Sequence, residues 1–440
     1  MIKIVRTLLL LFITKFSFSQ CNTNLGVYYW GGQLNGVDTS AIIPTAKNLA
    51  DSLGVNTIRI ALVSNDDAVY KNGGPCLLGM NLTALASRPD FNAIITDPKF
   101  STVIFTAYDW ASFGDCNTQN FLDSTFYTPT NTAAIELEFT NFATYLKQFS
   151  TKTFIITNWE GDNAVYGGAA YSDPNYPQAP ANIVGFKKWM LARSAGISAA
   201  NAPNVKFGIE FCNTHSLENL GKPSILNNVI PYVNADYFLY SAYESFNVSA
   251  NQLDSDINFV RNKLIGFGKN PNALLIGEMG FGKNDWGSAA NAADSLQKTI
   301  NVVIQKQIPY AIAWTLIDTP TNFGMYDSIA LISPQGTVLK NSICQTIAIN
   351  SFNDNEIKLQ VYPNPNAGSF QLNFNFSNEK NINLEITNAI GQTFYTEQLK
   401  SFQGNYSKGF NFNSISSGIY YLQLKSEKNI LTRKIVVCNK

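Results

Sequence analysis

Two glutamates that close apolar runs are the first residues in this chain with evident chemistry to do. Glu160 stands in "TFIITNWEGDN", Thr153–Asn163, and Glu278 in "ALLIGEMG", Ala273–Gly280. A carboxylate at the end of a buried run is costly unless it is paired or put to use. Two such groups facing one another have a specific use. Hydrolysis of a glycosidic bond needs one carboxyl to protonate the leaving oxygen and a second to attack the sugar or activate water, across an oxocarbenium-like transition state. Other polar and aromatic side chains gather at the ends of similar runs. They are Arg59 in "NTIRIAL", Asp109 and Trp110 after "STVIFTAY", Asn158 and Trp159 just before Glu160, Glu210 in "VKFGIEF", Tyr240 and Tyr243 in "ADYFLYSAY", and Trp314 in "YAIAWTL". Glu210 also ends a run, so it competes with Glu160 for the acid/base role.

For side chains so scattered to meet, the elements that carry them must converge. From Leu25 to about Asn350 one cadence recurs: a short apolar run, a loop with Gly, Asn or Asp, then apolar residues at helical spacing. Counting "LGVYY" as the first, there are eight such runs, with helical patterns such as Ser40–Ser52, Thr132–Phe149, Ala181–Ala199, Gln252–Ile265 and Ser288–Gln307 between them. Alternation implies parallel strands with crossover helices, and a count of eight implies closure into an α/β (β/α)8 TIM barrel, placed at residues 20–350. Strands four and seven of such a barrel lie on opposite walls. Glu160 and Glu278 would then face each other across its C-terminal mouth, with one sugar ring between them.

Beyond Asn350 the helical period disappears. The segments "FQLNFNF", "INLEITNA", "TFYTEQL", "GIYYLQL" and "TRKIVV" alternate as strands, separated by "NAG", "AIGQ" and "SSG". Residues 351–440 are therefore expected to form a small all-β sandwich. At the other end, "MIKIVRTLLLLFITKFSFSQ" has Lys3 and Arg6, an apolar run and then small residues, the pattern of a secretory signal peptide over residues 1–19.

Both bodies carry a resemblance. The barrel is similar to retaining glycoside hydrolases of clan A, nearest to family 5: "GVNTIRIAL" resembles that family's second strand, "IGEMGFG" its nucleophile segment, and "AIAWTL" its eighth strand with a sugar-platform tryptophan. The resemblance implies that Glu278 is the nucleophile, Glu160 the general acid/base, Arg59 the residue orienting Glu278, and Trp314 a stacking platform. The chain departs from the pattern in two places. Trp159 separates Asn158 from Glu160, and Asp109 and the Tyr240 to Tyr243 stretch stand where the family has histidines. The C-terminal order "VYPNP", "ITNAIGQ", "SSGIYYLQLKSEKN", "RKIVV" resembles the sorting domain of proteins exported by the type IX secretion system of Bacteroidetes. It implies that the secretion machinery is a partner and that the product is secreted or surface-attached.

Composition narrows the ligand. With 31 basic and 31 acidic residues, neither nucleic acid nor an anionic membrane is favoured, and a neutral polysaccharide or oligosaccharide suits a chain that is 13% aromatic. A β-linked glycan cut internally by a monomer is the expected activity; a glycan-binding barrel without turnover is the alternative. "GEMGFG" is not a dinucleotide fingerprint, and no Walker loop or H-E-x-x-H occurs, so no cofactor is expected. A single histidine, His215, leaves too few ligands for a Cys/His zinc site and too little for a Ser-His-Asp enzyme. Among the six cysteines, Cys76 with Cys116 and Cys21 with Cys344 are candidate bridges, and Cys212 on an apolar run is expected to be a buried thiol. Trp189 reads as packing, and Asp162 as either a cap or a neighbour that tunes Glu160.

Overall fold

A computed structural model of the chain describes residues 20–21, 25–31, 34–37, 41–64, 79–113, 120–168, 175–317, 323–345, 359–388, 393–412, 415–426 and 430–438. The signal-peptide segment lies outside the described residues, as do Cys76, Cys116 and the side chains of Cys21 and Cys344. Two compact units emerge, the first over Cys21–Cys344 and the second from Gln345 onward.

The first unit is a closed barrel of eight parallel strands joined in chain order. They are β1 (Leu25–Tyr29), β2 (Thr57–Leu62), β3 (Thr102–Ala107), β4 (Thr153–Thr157), β5 (Val205–Cys212), β6 (Tyr237–Ser241), β7 (Leu274–Met279) and β8 (Ala311–Trp314), with β8 closing onto β1. All eight apolar runs read from the sequence are these strands. The outer layer includes α1 (Ile42–Leu53), α2 (Pro89–Thr96), α3 (Pro129–Lys147), α4 (Ala179–Ala199), α5 (Ile225–Asn228), α6 (Ala250–Gly266), α7 (Ala289–Gln305) and α8 (Pro334–Ile343). Helix starts differ from the periodic readings by up to three residues, and for α3, α6 and α7 a side-chain cap sets the start. Thr128 accepts from the Asn131 N–H with Pro129 just inside the helix, and Ser249 and Ser288 do the same for α6 and α7.

Alternation along each strand sorts the side chains into two cores. Ile58, Ile60, Phe105, Phe154, Ile156, Phe207, Ile209, Leu274 and Ile276 face outward into the helix layer. Tyr28, Ile104, Ile155, Leu239, Leu275 and Ile312 fill the interior as an apolar plug. Above this plug the interior becomes polar, with Arg59, Thr106, Glu210 and Ser241 all fully buried. The floor of the mouth is thus a charged layer resting on an apolar one.

The second unit is an antiparallel sheet of β9 (Gln360–Tyr362), β10 (Ser369–Asn388), β11 (Thr393–Asn411), β12 (Gly418–Lys425) and β13 (Ile430–Val437). Two segments read as separate strands, around "FQLNFNF" and "INLEITNA", are one long strand. Register shifts between Phe376 and Ile382 bend it while pairing with β11 continues, so the polar "SNEKN" stretch is a bulge and not a turn. Phe374, Phe376, Leu384, Ile386, Leu422 and Leu424 build a core of its own for this unit. Among the described residues no helix is long and apolar enough to cross a membrane.

Candidate active site

Strand β7 carries the decisive irregularity. Its Leu274 and Ile276 face the helices, and strict alternation would send Glu278 the same way. Instead Tyr240 pairs with Ile276 but Ser241 pairs with Glu278, and on the other side Ala311 pairs with Ile276 but Ala313 with Met279. One extra residue is accommodated at Gly277–Glu278, and this bulge turns Glu278 inward to the mouth. Across the barrel, β4 ends at Thr157, and Glu160 precedes the short helix Gly161–Val165. Glu160 and Glu278 are 5% and 3% exposed and line one cavity of about 610 Å³. Trp30, Trp159, Tyr243 and Trp314 wall the same cavity. Asn247 and Phe323 also line it and were not singled out from the sequence. Asn247 sits one helical turn after Tyr243, a spacing that was available to be read; Phe323, in the loop after β8, carried no signal. A second hollow of about 410 Å³ shares Trp30 and Trp159 and adds Tyr108, Phe113, Phe121 and Asn163.

The two carboxyls have different partners. Glu278 accepts from the Tyr243 hydroxyl at 3.3 Å, and its Oε1 lies 3.8 Å from an Arg59 nitrogen without a hydrogen-bond partner among the described residues. Glu160 accepts from the amide of Asn163, itself held by the Asn213 amide at 3.2 Å. Burial, and then Glu210, push the Glu160 carboxyl up to about 8, with Asn163 and Arg59 pulling the other way. Burial, Glu160 and Glu210 raise Glu278 as well, opposed by Arg59 and Tyr243. Each glutamate therefore disfavours ionisation of the other, and the pair holds a proton near neutral pH. Arg59 lies beside both carboxyls, with the Tyr243 phenol added at Glu278 and the Asn163 amide at Glu160.

Beneath them, Arg59 is the hub of the polar layer. Its Nε donates to Thr106 at 2.9 Å; one terminal nitrogen donates to Glu210 at 2.8 Å and the Gly277 carbonyl at 3.0 Å; the other donates to Glu210 and to the Asn158 carbonyl at 3.3 Å. The Tyr28 ring lies against its guanidinium at 4.2 Å. Arg59 is thus anchored chiefly by Glu210, where orientation of Glu278 had been expected. Glu210 itself is fully buried and absent from the cavity lining. Asn158 bridges β4 to β5, donating to the Glu210 carbonyl at 2.8 Å and accepting its N–H at 3.0 Å.

Three other expected binding residues lie away from the cavity, two of them for reasons of strand parity. Ile104 and Thr106 face inward on β3, so Tyr108 does too and Asp109 turns outward. There it accepts from Trp189 Nε1 at 2.7 Å and the Ser112 N–H at 2.8 Å. Trp110 opens a short helix whose N–H groups are held by Glu138. On β6, Leu239 and Ser241 face inward, which sends Tyr240 outward to stack on Phe211 and donate to Glu244 at 2.8 Å. Asp162 acts as a tether, accepting the N–H groups of Cys212 and Ile225 at 2.9 and 2.8 Å, and its charge also raises Glu160. His215 pairs with Asp256 at 2.8 Å, and Cys212 is a buried free thiol. Among the described residues no cluster of three or more His, Cys, Asp or Glu is arranged to hold a metal ion.

Residues 360–438 match the family described as a secretion system C-terminal sorting domain. The chain is accordingly a type IX secretion product, released or held at the cell surface. No curated protein matches the chain. Among solved structures, a β-glucosidase from Thermotoga maritima in complex with azafagomine shares the barrel with a TM-score of 0.51 at 12% identity, over 73% of this chain and 98% of that one. An FMN-binding β-glucuronidase from Facaelibacterium prausnitzii L2-6 aligns over 96% of this chain at 9% identity and a TM-score of 0.46, and the exo-β-1,4-mannosidase Op5Man5 from Opitutaceae bacterium strain TAV5 over 73% at 14% and 0.48. The chain spans 57% and 59% of the lengths of those two proteins. At such identities the likeness is one of fold: a TIM barrel similar to that of a glycosidase, joined to a C-terminal sorting domain.

Proposed function

We propose that the barrel is a retaining glycoside hydrolase acting on a β-linked polysaccharide or oligosaccharide outside the cell. The observation that carries the reading is the sharing of one aromatic-walled cavity by Glu160 and Glu278, delivered from β4 and β7 on opposite walls. Trp314 and Trp30 offer flat apolar faces to a sugar ring, while the carboxyls sit where a glycosidic bond would cross the mouth. In the first half-reaction Glu278 attacks the anomeric carbon as the glycosidic C–O bond breaks, and Glu160 gives its proton to the departing oxygen. In the second, Glu160 takes a proton from water, which attacks the anomeric carbon and releases Glu278. The second hollow, which shares Trp30 and Trp159 with the first as lining residues, supports a substrate longer than one ring and hence endo action. The barrel's fold-level likeness to a β-glucosidase is consistent with this chemistry.

The test is turnover with two variants. Glu278→Ala should lose about three orders of magnitude or more in kcat while remaining folded. Glu160→Ala should be rescued by azide on a substrate with an activated leaving group, giving a β-glycosyl azide, because that leaving group departs without the acid and azide attacks the glycosyl-enzyme without the base. Wild-type-like hydrolysis by either variant would sink the assignment. Retention on polysaccharide gels with no reducing-sugar release would favour the glycan-binding alternative.

A further inference from the structure

The polar layer below the cavity holds a third buried carboxylate, Glu210, that the two-glutamate mechanism does not use. Its side chain is built into place. Oε1 accepts from Arg59 at 2.8 Å and from the Ser241 hydroxyl at 2.6 Å, and Oε2 accepts from the other terminal nitrogen of Arg59. Room for it comes from Gly277, the bulge residue next to Glu278, where a Cβ would lie 2.5 Å from Glu210 Oε1. The same backbone feature that aims Glu278 also admits Glu210 beneath it.

All five N–H groups of Arg59 are committed, two of them to Glu210 and none to Glu278. Glu278 sees the guanidinium only as a charge 3.8 Å away. Resting on the proposed hydrolase, we propose that Glu210 is a positioning residue that holds Arg59 under Glu278 and limits how far the guanidinium stabilises the Glu278 anion. A nucleophile left fully paired to arginine would be a weak base and a sluggish attacker. Interposing a second carboxylate keeps Glu278 basic enough to attack the anomeric carbon while the arginine still fixes the floor of the site. The groups that act on Glu278 are Glu160, Glu210, Arg59, Tyr243 and Tyr28, and only Glu210 and Arg59 form a hydrogen-bonded ion pair with each other.

The experiment follows the Glu278 carboxyl directly. In full-length protein carrying [δ-13C]glutamate, the Glu278 resonance is assigned by its loss in Glu278→Gln and then titrated. In Glu210→Gln the titration midpoint should fall by about one to three units, since a repelling charge is gone and the guanidinium is freed. The acid limb of kcat/KM should move down with it. A purely structural role would lower the melting temperature and leave the midpoint in place, which overturns the proposal. Should Glu210→Gln fail to fold around an unpaired Arg59, the double variant R59M/E210M removes both charges and suits an apolar interior. Its midpoint should stay within about one unit of wild type because the two contributions offset, and a larger rise overturns the proposal. The resonance needs no turnover. Absence of hydrolysis on every glycoside would count against the hydrolase alone, and an unmoved midpoint against Glu210 alone.

Discussion

At the scale of single residues, this site depends on how a few buried charges share protons. Glu160 and Glu278 were legible as candidates because a carboxylate closing an apolar run has no cheap structural excuse. Arg59 was legible for the same reason. Its partner was not, since pairing between side chains from β2 and β5 depends on strand parity and on the bulge at Gly277, and neither leaves a pattern in the sequence. The hydrogen bond from Asn163 to Glu160 is a second case, and it yields a prediction. That amide stabilises the Glu160 anion, so removing it favours the protonated form. In Asn163→Ala the alkaline limb of kcat/KM, set by loss of the Glu160 proton at about 8, should move upward by about half a unit to one unit. The acid limb, set by Glu278, should stay. A pH profile in which the alkaline limb is unchanged or falls would show that another group sets it.

At the scale of elements, the eight strands and the main helices were readable because their periodicities are those of a sheet buried on both faces and of helices buried on one. What could not be read is how closely elements approach and which loops they tie down. Gly196 on α4 is an example: a Cβ there would lie 2.4 Å from the Glu136 carbonyl of α3. Gly196→Ala should therefore cost about 1 to 3 kcal/mol through forced separation of the two helices, checked by its denaturant midpoint. Glu138 on α3 supplies a pH-dependent tie. It accepts the N–H groups of Leu82 and Trp110, yet burial, with Asp109 adding to it, raises its carboxyl to about 7. A carboxyl whose folded value lies above its unfolded one stabilises the fold below about pH 4.5, and that stabilisation is lost as pH rises through about 7. Asp162 and Glu160 add in the same direction, at about 7 and about 8. Melting temperature should fall between pH 5 and pH 8. Glu138→Gln should flatten that slope by up to about 3 kcal/mol over the interval, and an unaltered slope would mean Glu138 does not titrate there.

At the scale of the whole molecule, the chain divides into two units that are built separately. Each has its own apolar core, built from parallel strands and helices in Cys21–Cys344 and from an antiparallel sheet in Gln345–Lys440. The change from helical to alternating periodicity made this division visible in the sequence, and the ordered motifs near the C-terminus made the sorting role visible as well. The bend in β10 was not, because "SNEKN" has the composition of a turn and only cross-strand pairing shows it to be a bulge. Every residue assigned to chemistry lies in the barrel, and the match to a secretion sorting domain is confined to residues 360–438. Export and catalysis should therefore separate. In the native host, deletion of residues 351–440 should keep the product out of the medium and off the cell surface while cell extracts retain glycosidase activity with unchanged KM. Fractionation followed by reducing-sugar assay on each fraction measures both. If the shortened chain were still exported, the sorting function would have to lie in the barrel. If it were retained but inactive, with circular dichroism showing lost helix, the barrel would depend on the second unit to fold, against the expectation from its self-contained core.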